Sequence, residues 1–217
     1  MIELLNIDCM DYMKDIPDKY FDLAIVDPPY GIAETSYRKT PNKKCAAKKK
    51  KYNTALWKFD KPDVEYWDNL MRISKNQIIW GGNYFTSFLY ESRCWIVWDK
   101  CTQDSKFADV ELAWTSYQNS AKLFKYRWNG MLQENMGDKE VRIHPTQKPI
   151  QLYKWLLKNY AKPEFKIIDT HLGSGSSAIA AYDFGIAEFI GTEIDKEYYD
   201  AAVKRFNIHK MQKQIQF

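Results

Sequence analysis

The sequence predicts an α/β fold, a mostly parallel sheet wound with helices on both faces. Three observations carry that expectation. The run Phe21–Val26 is compact and apolar with little alternation, as a strand covered on both faces requires. Strand-like and helix-like segments take turns along nearly the whole chain. A glycine-rich turn, Gly173-Ser174-Gly175, lies between a strand-like and a helix-like segment.

In chain order, residues 2–7 read as a strand and residues 8–16 as a helix that Pro17 ends. The Phe21–Val26 strand stops at Asp27-Pro28-Pro29-Tyr30, because two prolines can continue neither a helix nor a central strand. Residues 39–51 hold few apolar side chains and read as an irregular insertion. Residues 62–73 read as a helix with Pro62 in its first turn. Strands are expected at 77–80, 94–98 and 110–114, and residues 118–128 read as a hairpin or a last pair of strands. Leu152, Trp155, Leu156 and Tyr160 form one stripe of a helix over Ile150–Tyr160. A strand over Lys166–Asp169, a helix over Ser176–Phe184, a strand at 189–193 and a long helix at 196–211 follow.

The chain has 217 residues, 45% of them apolar and 16% aromatic. That is enough for a buried core and one domain over 1–217, and it excludes a wholly disordered chain. No apolar run approaches the roughly 20 residues of a membrane span. The start, Met1-Ile2-Glu3-Leu4-Leu5, lacks a basic segment and a cleavable apolar stretch, so no secretory signal is expected. Cys9, Cys45, Cys94 and Cys101 are irregularly spaced, which points to free thiols in a cytoplasmic protein and to no metal site.

Charge is concentrated in one place. The net charge is +4, yet residues 38–61 hold ten basic residues and one acidic residue. Arg38, Lys39, Lys43, Lys44, Lys48, Lys49, Lys50 and Lys51 supply most of this excess. Such a run is either a solvated loop or a surface for a polyanion. Tyr37, Tyr52 and Trp57 are interleaved with it, and rings that stack on bases favour nucleic acid.

The segment Asp169-Thr170-His171-Leu172-Gly173-Ser174-Gly175-Ser176 reads as strand end, tight turn and helix start. Its glycines permit close backbone approach, and the helix start offers free N–H groups. Glu193 ends the next strand, where a carboxylate can accept hydrogen bonds from both hydroxyls of a ribose. The pattern points to an adenosine-containing cofactor without saying which one, since it also fits the dinucleotide fingerprint. The other motif, Asp27-Pro28-Pro29-Tyr30, offers two acceptors, the Asp27 carboxylate and the Pro28 carbonyl, beside a flat ring at Tyr30. That set matches an exocyclic amino group with two N–H donors on a planar base.

With His144-Pro145-Thr146-Gln147-Lys148-Pro149 and Gly191-Thr192-Glu193-Ile194-Asp195, these motifs in this order resemble the S-adenosylmethionine-dependent DNA amino-methyltransferases of the β class. The resemblance spans nearly the whole chain. It implies a Rossmann-like, doubly wound, seven-stranded sheet with one antiparallel strand, in a circularly permuted order with the catalytic motif ahead of the cofactor loop. It implies a catalytic Asp27, Pro28, Pro29 and Tyr30. It implies S-adenosylmethionine contacts at Asp8, Cys9, Asp27, Thr146, Lys148, Asp169, His171, Leu172, Gly173, Ser174, Gly175, Ser176, Glu193 and Ile194. Asp8 would lie near the adenine amino group, and Thr146 and Lys148 at the methionine end. Thr170 and His171 stand where family members commonly have Pro and Phe.

The expected reaction is methyl transfer to the N6 of a flipped-out adenine, because Asp in the first motif position is more typical of adenine enzymes and Ser of cytosine ones. Cytosine N4 is the alternative within the family. A catalytically silent DNA-binding subunit and an NAD-dependent oxidoreductase are the readings from other classes, and the latter leaves Asp27-Pro28-Pro29-Tyr30 without a purpose. DNA contact is expected from the basic insertion at 34–61 and from a small recognition region at 116–142. His144 reads as a structural histidine rather than a base, because the amine loses its proton after transfer. Gly81-Gly82-Asn83 and Asp99 end strands and either line the target pocket or form turns. The cellular setting expected is the cytoplasm of a bacterium or phage-infected host, in restriction-modification or a related role, as a monomer or homodimer.

Overall fold

Five of the six residues of strand β2 (Phe21–Val26) are buried, and this strand lies in the middle of the sheet. The computed structural model describes residues 1–31, 60–102, 108–129 and 132–215. The elements around β2 are β1 (Ile2–Leu5), α1 (Cys9–Met13), α2 (Val64–Ile73), β3 (Ser74–Trp80), β4 (Trp95–Asp99), β5 (Val110–Thr115), β6 (Lys122–Lys125), β7 (Trp128–Asn129) and β8 (Leu132–Gln133). Then come α3 (Ile150–Tyr160), β9 (Lys166–Asp169), α4 (Ser176–Phe184), β10 (Glu188–Thr192) and α5 (Lys196–Ile215). Eight strands form one sheet in the order β1-β10-β9-β2-β3-β5-β4-β6, and β7 with β8 forms a separate two-stranded ladder.

All neighbours are parallel except those of β5, which runs against both β3 and β4. A mostly parallel sheet is what the alternation of strands and helices predicts, and the one antiparallel strand is what the resemblance implies. The count is eight rather than seven because Lys122–Lys125 joins β4 in parallel, Ile96 opposite Lys122. Residues 118–128 therefore form no hairpin of their own: β6 extends the large sheet, and Trp128 pairs with Gln133 in the small one.

The adjacency that matters is β2 against β9, with Leu23 opposite Ile167 and Ala24 opposite Ile168. From this junction the chain winds outward both ways, β2 to β3 on one side and β9 to β10 to β1 on the other. In doubly wound sheets ligands bind outside the strand carboxyl ends at such a junction. Asp22 anchors the opposite end of the junction: its carboxylate accepts the Lys166 N–H at 2.9 Å and the Lys75 Nζ at 2.7 Å.

Alternation along β2 sends Leu23 and Ile25 to one face and Ala24 and Val26 to the other. The first face packs against Leu152 and Leu156 of α3, Ile179 of α4 and Phe206 of α5. The second meets Tyr66, Trp67, Leu70 and Ile73 of α2 and Met13 of α1. Each fully buried Leu, Ile or Phe in these layers is worth about 1.5–3 kcal/mol against exposure. Helix α2 starts later than expected: Asp63 caps it by accepting the Tyr66 N–H at 3.2 Å, and Pro62 lies just outside.

Candidate active site

Asp27 leaves the end of β2, and both of its carboxylate oxygens are engaged. Oδ1 accepts the Tyr30 hydroxyl at 2.6 Å, and Oδ2 pairs with Lys148 Nζ at 2.5 Å. Lys148 Nζ also lies 3.3 Å from the Tyr30 hydroxyl and 3.3 Å from Glu111 Oε2. Glu111 projects from β5, and its other oxygen forms an ion pair with Lys100. Two cations and two anions thus neutralise one another at the strand ends. Burial alone would discharge Lys148, but Asp27 and Glu111 hold its pKa above the usual value. Burial likewise works to raise Glu111, and Lys148 and Lys100 bring it below the ordinary carboxylate range.

The Tyr30 ring is held on several sides. It stacks on Tyr84 with centroids 5.0 Å apart and meets Phe85 edge-on at 6.0 Å. Gly81, just after β3, has φ +68°, and a Cβ there would lie 2.2 Å from the Tyr30 ring. Burial, then the charges of Asp27 and Glu111, raises the Tyr30 phenol well above its usual pKa, so the hydroxyl stays a donor.

Beside this cluster the glycine loop leaves β9. Gly173 has φ +52°, and its N–H donates to Glu193 Oε2 at 2.9 Å. Glu193 Oε1 accepts the Asp195 N–H at 2.9 Å. Each of these oxygens keeps a further lone pair for a hydroxyl donor. Gly175, φ +71°, turns the chain into α4. Gly191 of β10 lets the loop lie flat, since a Cβ there would meet the Leu172 side chain at 2.7 Å. Asp169 is 1% exposed and accepts the Ser177 hydroxyl at 2.6 Å and the His171 N–H at 3.1 Å. Burial raises its carboxyl to about 7 against the pull of those two donors.

His171 lies edge-on to Tyr66 at 5.5 Å, and burial lowers its pKa to about 4. Tyr66 reaches from α2 to hydrogen-bond Thr170 at 2.8 Å. Asp8 caps α1 by accepting the Met10 N–H at 2.9 Å, and burial, then the Asp8 charge, pushes the Cys9 thiol up to about 12. β1 lies at the sheet edge parallel to β10, so Asp8 and Cys9 follow the same strand ends as Glu193 and the exposed Ile194. His144 packs edge-on against Tyr198 at 4.4 Å, and Thr146 Oγ1 lies 3.2 Å from its Nδ1. Burial, then the Lys148 charge, lowers the His144 pKa to about 3.

The structure thus gathers Asp27, Tyr30 and Lys148 into one cluster and Asp169, His171, Gly173, Ser176 and Glu193 into the adjoining loop. Lys148, for which the resemblance implies a place at the methionine end of the cofactor, meets Asp27 and Glu111, and Thr146 lies beside His144. Arg38, Lys39, Lys43, Lys44 and Lys48 through Lys51 lie outside the described residues. Among the described residues no three His, Cys, Asp or Glu side chains come together as a metal site.

Sequence reasoning missed four participants. Glu111 and Lys100 carry no motif. Arg205 of α5 donates to the Ser174 carbonyl at 2.8 Å and the Ser176 hydroxyl at 2.9 Å, and it pairs with Glu140 at 2.6 Å. Glu140 also accepts the Ile150 N–H that opens α3, at 2.9 Å. The glycine loop, the segment before α3 and α5 are therefore tied by one ion pair whose members lie 65 positions apart in the chain.

Comparison with known proteins agrees with this geometry. The family model described as DNA methylase, N6/N4 type, matches residues 21–204. The Type II methyltransferase M.BglII of Bacillus subtilis is 24% identical over 92% of this chain and 67% of its own length. M2.LlaDCHI of Lactococcus lactis subsp. cremoris is 35% identical over 41% of this chain, which spans 32% of that relative. Among solved structures, the M1.HpyAVI–SAM complex superposes with a TM-score of 0.59 at 19% identity, covering 94% of this chain and 100% of that one. The PvuII cytosine-N4-specific DNA methyltransferase superposes with a TM-score of 0.60 at 14% identity, covering 94% and 85%. The extent of the family match, with Asp27-Pro28-Pro29-Tyr30 and the glycine loop on adjacent strands inside it, makes this chain a member of the N6/N4 DNA methylase family.

Proposed function

We propose that the protein transfers a methyl group from S-adenosylmethionine to the exocyclic N6 of an adenine flipped out of DNA. The observation that carries this reading is the adjacency of β2 and β9, which brings Asp27 and Tyr30 beside the glycine loop and Glu193. The residues fit the cofactor. Glu193 has lone pairs free for ribose hydroxyls, Gly173 and Gly175 leave backbone room, and Asp169 is a buried carboxylate suited to a cationic methionine end. When bound, S-adenosylmethionine supplies an electrophilic methyl on a sulfonium. Asp8, Cys9 and Ile194 border the adenine end, and the loop from His171 to Ser176 lines the middle.

The protein's part in the chemistry is to hold the target amine. The N6 lone pair of adenine is delocalised into the ring and is a poor nucleophile. An Asp27 oxygen and the Pro28 carbonyl accept the two amino hydrogens and favour a pyramidal nitrogen with a localised lone pair. Stabilising that geometry more strongly in the transition state than in the ground state is what accelerates transfer. Pro29 has no N–H and keeps this turn stiff. Tyr30 stacks on the extruded base, which is unreachable inside a duplex. His144 and His171 stay neutral at pH 7, so neither competes as a cation for the same space.

Asp27 in the first motif position supports adenine over cytosine. The likeness to the PvuII enzyme keeps cytosine N4 as the second reading. The basic residues at 38–51 are assigned to DNA phosphates, so binding weakens as salt rises. The test is transfer of labelled methyl groups to unmethylated DNA followed by nucleoside analysis. N6-methyladenine is expected. N4-methylcytosine would replace the base assignment, and no transfer would overturn the reading. Asp27→Ala should abolish transfer and keep cofactor binding, and full activity in that variant would reject the role given to Asp27.

A further inference from the structure

We propose that Glu111 is a positioning residue for methyl transfer, receiving the Lys148 ammonium when the target amino group claims Asp27. This rests on the reading of Asp27 as acceptor for that amino group.

Three observations carry it. First, Asp27 has no oxygen free of a partner: Tyr30 donates to Oδ1 and Lys148 pairs with Oδ2. Each oxygen keeps a further lone pair, so an amino group that enters at Oδ2 must share it with an ammonium 2.5 Å away or drive that ammonium off. Second, Glu111 Oε2 is buried and lies 3.3 Å from the same ammonium, a longer and less well-aligned approach than the 2.5 Å to Asp27 Oδ2. An ammonium that shifts fully onto this buried anionic oxygen shortens a weak contact into a charge-assisted hydrogen bond. Third, the Lys148 side chain is 3% exposed, so its ammonium cannot leave into water and exchanges only among the groups that surround it. Those groups are Asp27, Tyr30 and Glu111, with the Trp80 ring 5.4 Å away and the His144 ring near enough to feel its charge.

The exchange moves no net charge through the site. Before it, Lys148 lies against both Asp27 and Glu111, closer to Asp27, and Lys100 pairs with Glu111. After it, Lys100 and Lys148 share Glu111, and Asp27 faces the amine with only the Tyr30 hydroxyl on its other oxygen. That end state suits the reaction, because the amine nitrogen gains positive charge as the methyl arrives and an ammonium still on Asp27 would repel it. Lys148 takes no proton and forms no bond to substrate.

The test uses the full chain, S-adenosylmethionine with a labelled methyl group and unmethylated plasmid DNA. Glu111→Gln removes the receiving charge. The expected result is a kcat lower by about 10- to 100-fold, the worth of one charged hydrogen bond, with the cofactor Kd unchanged. Glu111→Asp keeps the charge one methylene farther back and should fall between wild type and Glu111→Gln. In a Lys148→Met background, Glu111→Gln should change kcat by less than about twofold, because Glu111 then has no lysine to receive. A folded Glu111→Gln enzyme with wild-type kcat overturns the proposal. So does an equal loss with and without Lys148, or a Lys148→Met enzyme inert even in single turnover. If Glu111→Gln does not fold, Glu111→Asp is read in the same cycle, and wild-type kcat there overturns it equally. Asp27→Ala run alongside separates the two claims: activity in that variant rejects the acceptor role, whereas an inert Asp27→Ala beside a fully active Glu111→Gln rejects only Glu111.

Discussion

Gly81 and Tyr30 are fitted so closely that a single methyl group on Gly81 would sit 2.2 Å from the Tyr30 ring. Gly81 also holds φ +68°, a conformation that costs an ordinary L residue about 1–2 kcal/mol. Gly81→Ala should therefore push Tyr30 off Tyr84 and break its hydrogen bond to Asp27. The expected outcome is a kcat loss of roughly tenfold or more with cofactor Kd retained, since one lost hydrogen bond and a displaced ring act only at the target side. Steady-state methylation beside calorimetric titration of the cofactor checks it, and wild-type kcat would show that the ring's seat is unimportant.

The two faces of Tyr30's role separate by substitution. Tyr30→Phe keeps the ring against Tyr84 and frees Asp27 Oδ1 of its hydroxyl partner. Tyr30→Ala removes the stacking surface, worth about 1–3 kcal/mol per base. The alanine variant should capture the flipped base roughly 10- to 100-fold more weakly, and the phenylalanine variant should be much milder. Fluorescence of 2-aminopurine at the target position reports base capture directly. Equal losses in both variants would shift the weight from the ring to the hydroxyl.

Much of this site was legible in the sequence because its parts are local. Asp27-Pro28-Pro29-Tyr30 breaks a buried strand by proline chemistry alone, and Gly173 and Gly175 announce a tight turn before α4. The adjacency of β2 and β9, by contrast, is seen only in the folded sheet. Glu111, Lys100, Arg205 and Glu140 were not legible, because each acts through a partner brought near only by the folded sheet. Arg205 reads as one more charge on a charged helix until Glu140 and the Ser174 carbonyl are seen beside it. Residues 118–128 hold two strands, one of the two alternatives the sequence leaves open, but whether Lys122–Lys125 pairs with its neighbour in sequence or with β4 is decided by the sheet edge left open, not by its own residues.

On the proposed place of Asp169 beside the cofactor, binding should depend on pH. Burial raises its carboxyl to about 7, so the free protein is partly protonated there near neutrality. A cationic ligand favours the anion, and binding must then expel a proton at pH values below about 7. The sign follows: the cofactor Kd tightens as pH rises from about 5 to 7, by up to roughly tenfold per pH unit, and levels off above that. Calorimetry in buffers of different ionisation enthalpy should register the released proton. Asp169→Asn should abolish the release and flatten this limb, and a wild-type Kd indifferent to pH would remove Asp169 from the cofactor's charge environment.

Asp183 offers a stability test far from the chemistry. It lies near the end of α4, where Oδ1 meets His209 at 2.7 Å and Lys213 at 2.6 Å and Oδ2 meets Lys154 at 2.6 Å. One carboxylate thus lashes α3 and α5 to α4. Burial works to raise its pKa, and hydrogen bonds from His209, Lys154 and Lys213 override that, leaving it at about 2 against an ordinary 3.8. A carboxyl depressed on folding stabilises the protein above its unfolded value and loses that contribution as pH falls through the folded one. Asp183→Asn should therefore cost roughly 1–2 kcal/mol at pH 7, solvent screening of the lysines included. The gap to wild type should close as pH drops from about 4 to 2. Urea unfolding across that range measures it. The cofactor Kd should not move, because Asp183 is at the opposite end of α4 from Ser176 and the glycine loop, and a changed Kd with unchanged stability would mean that the lashing of α4 serves the site rather than the fold.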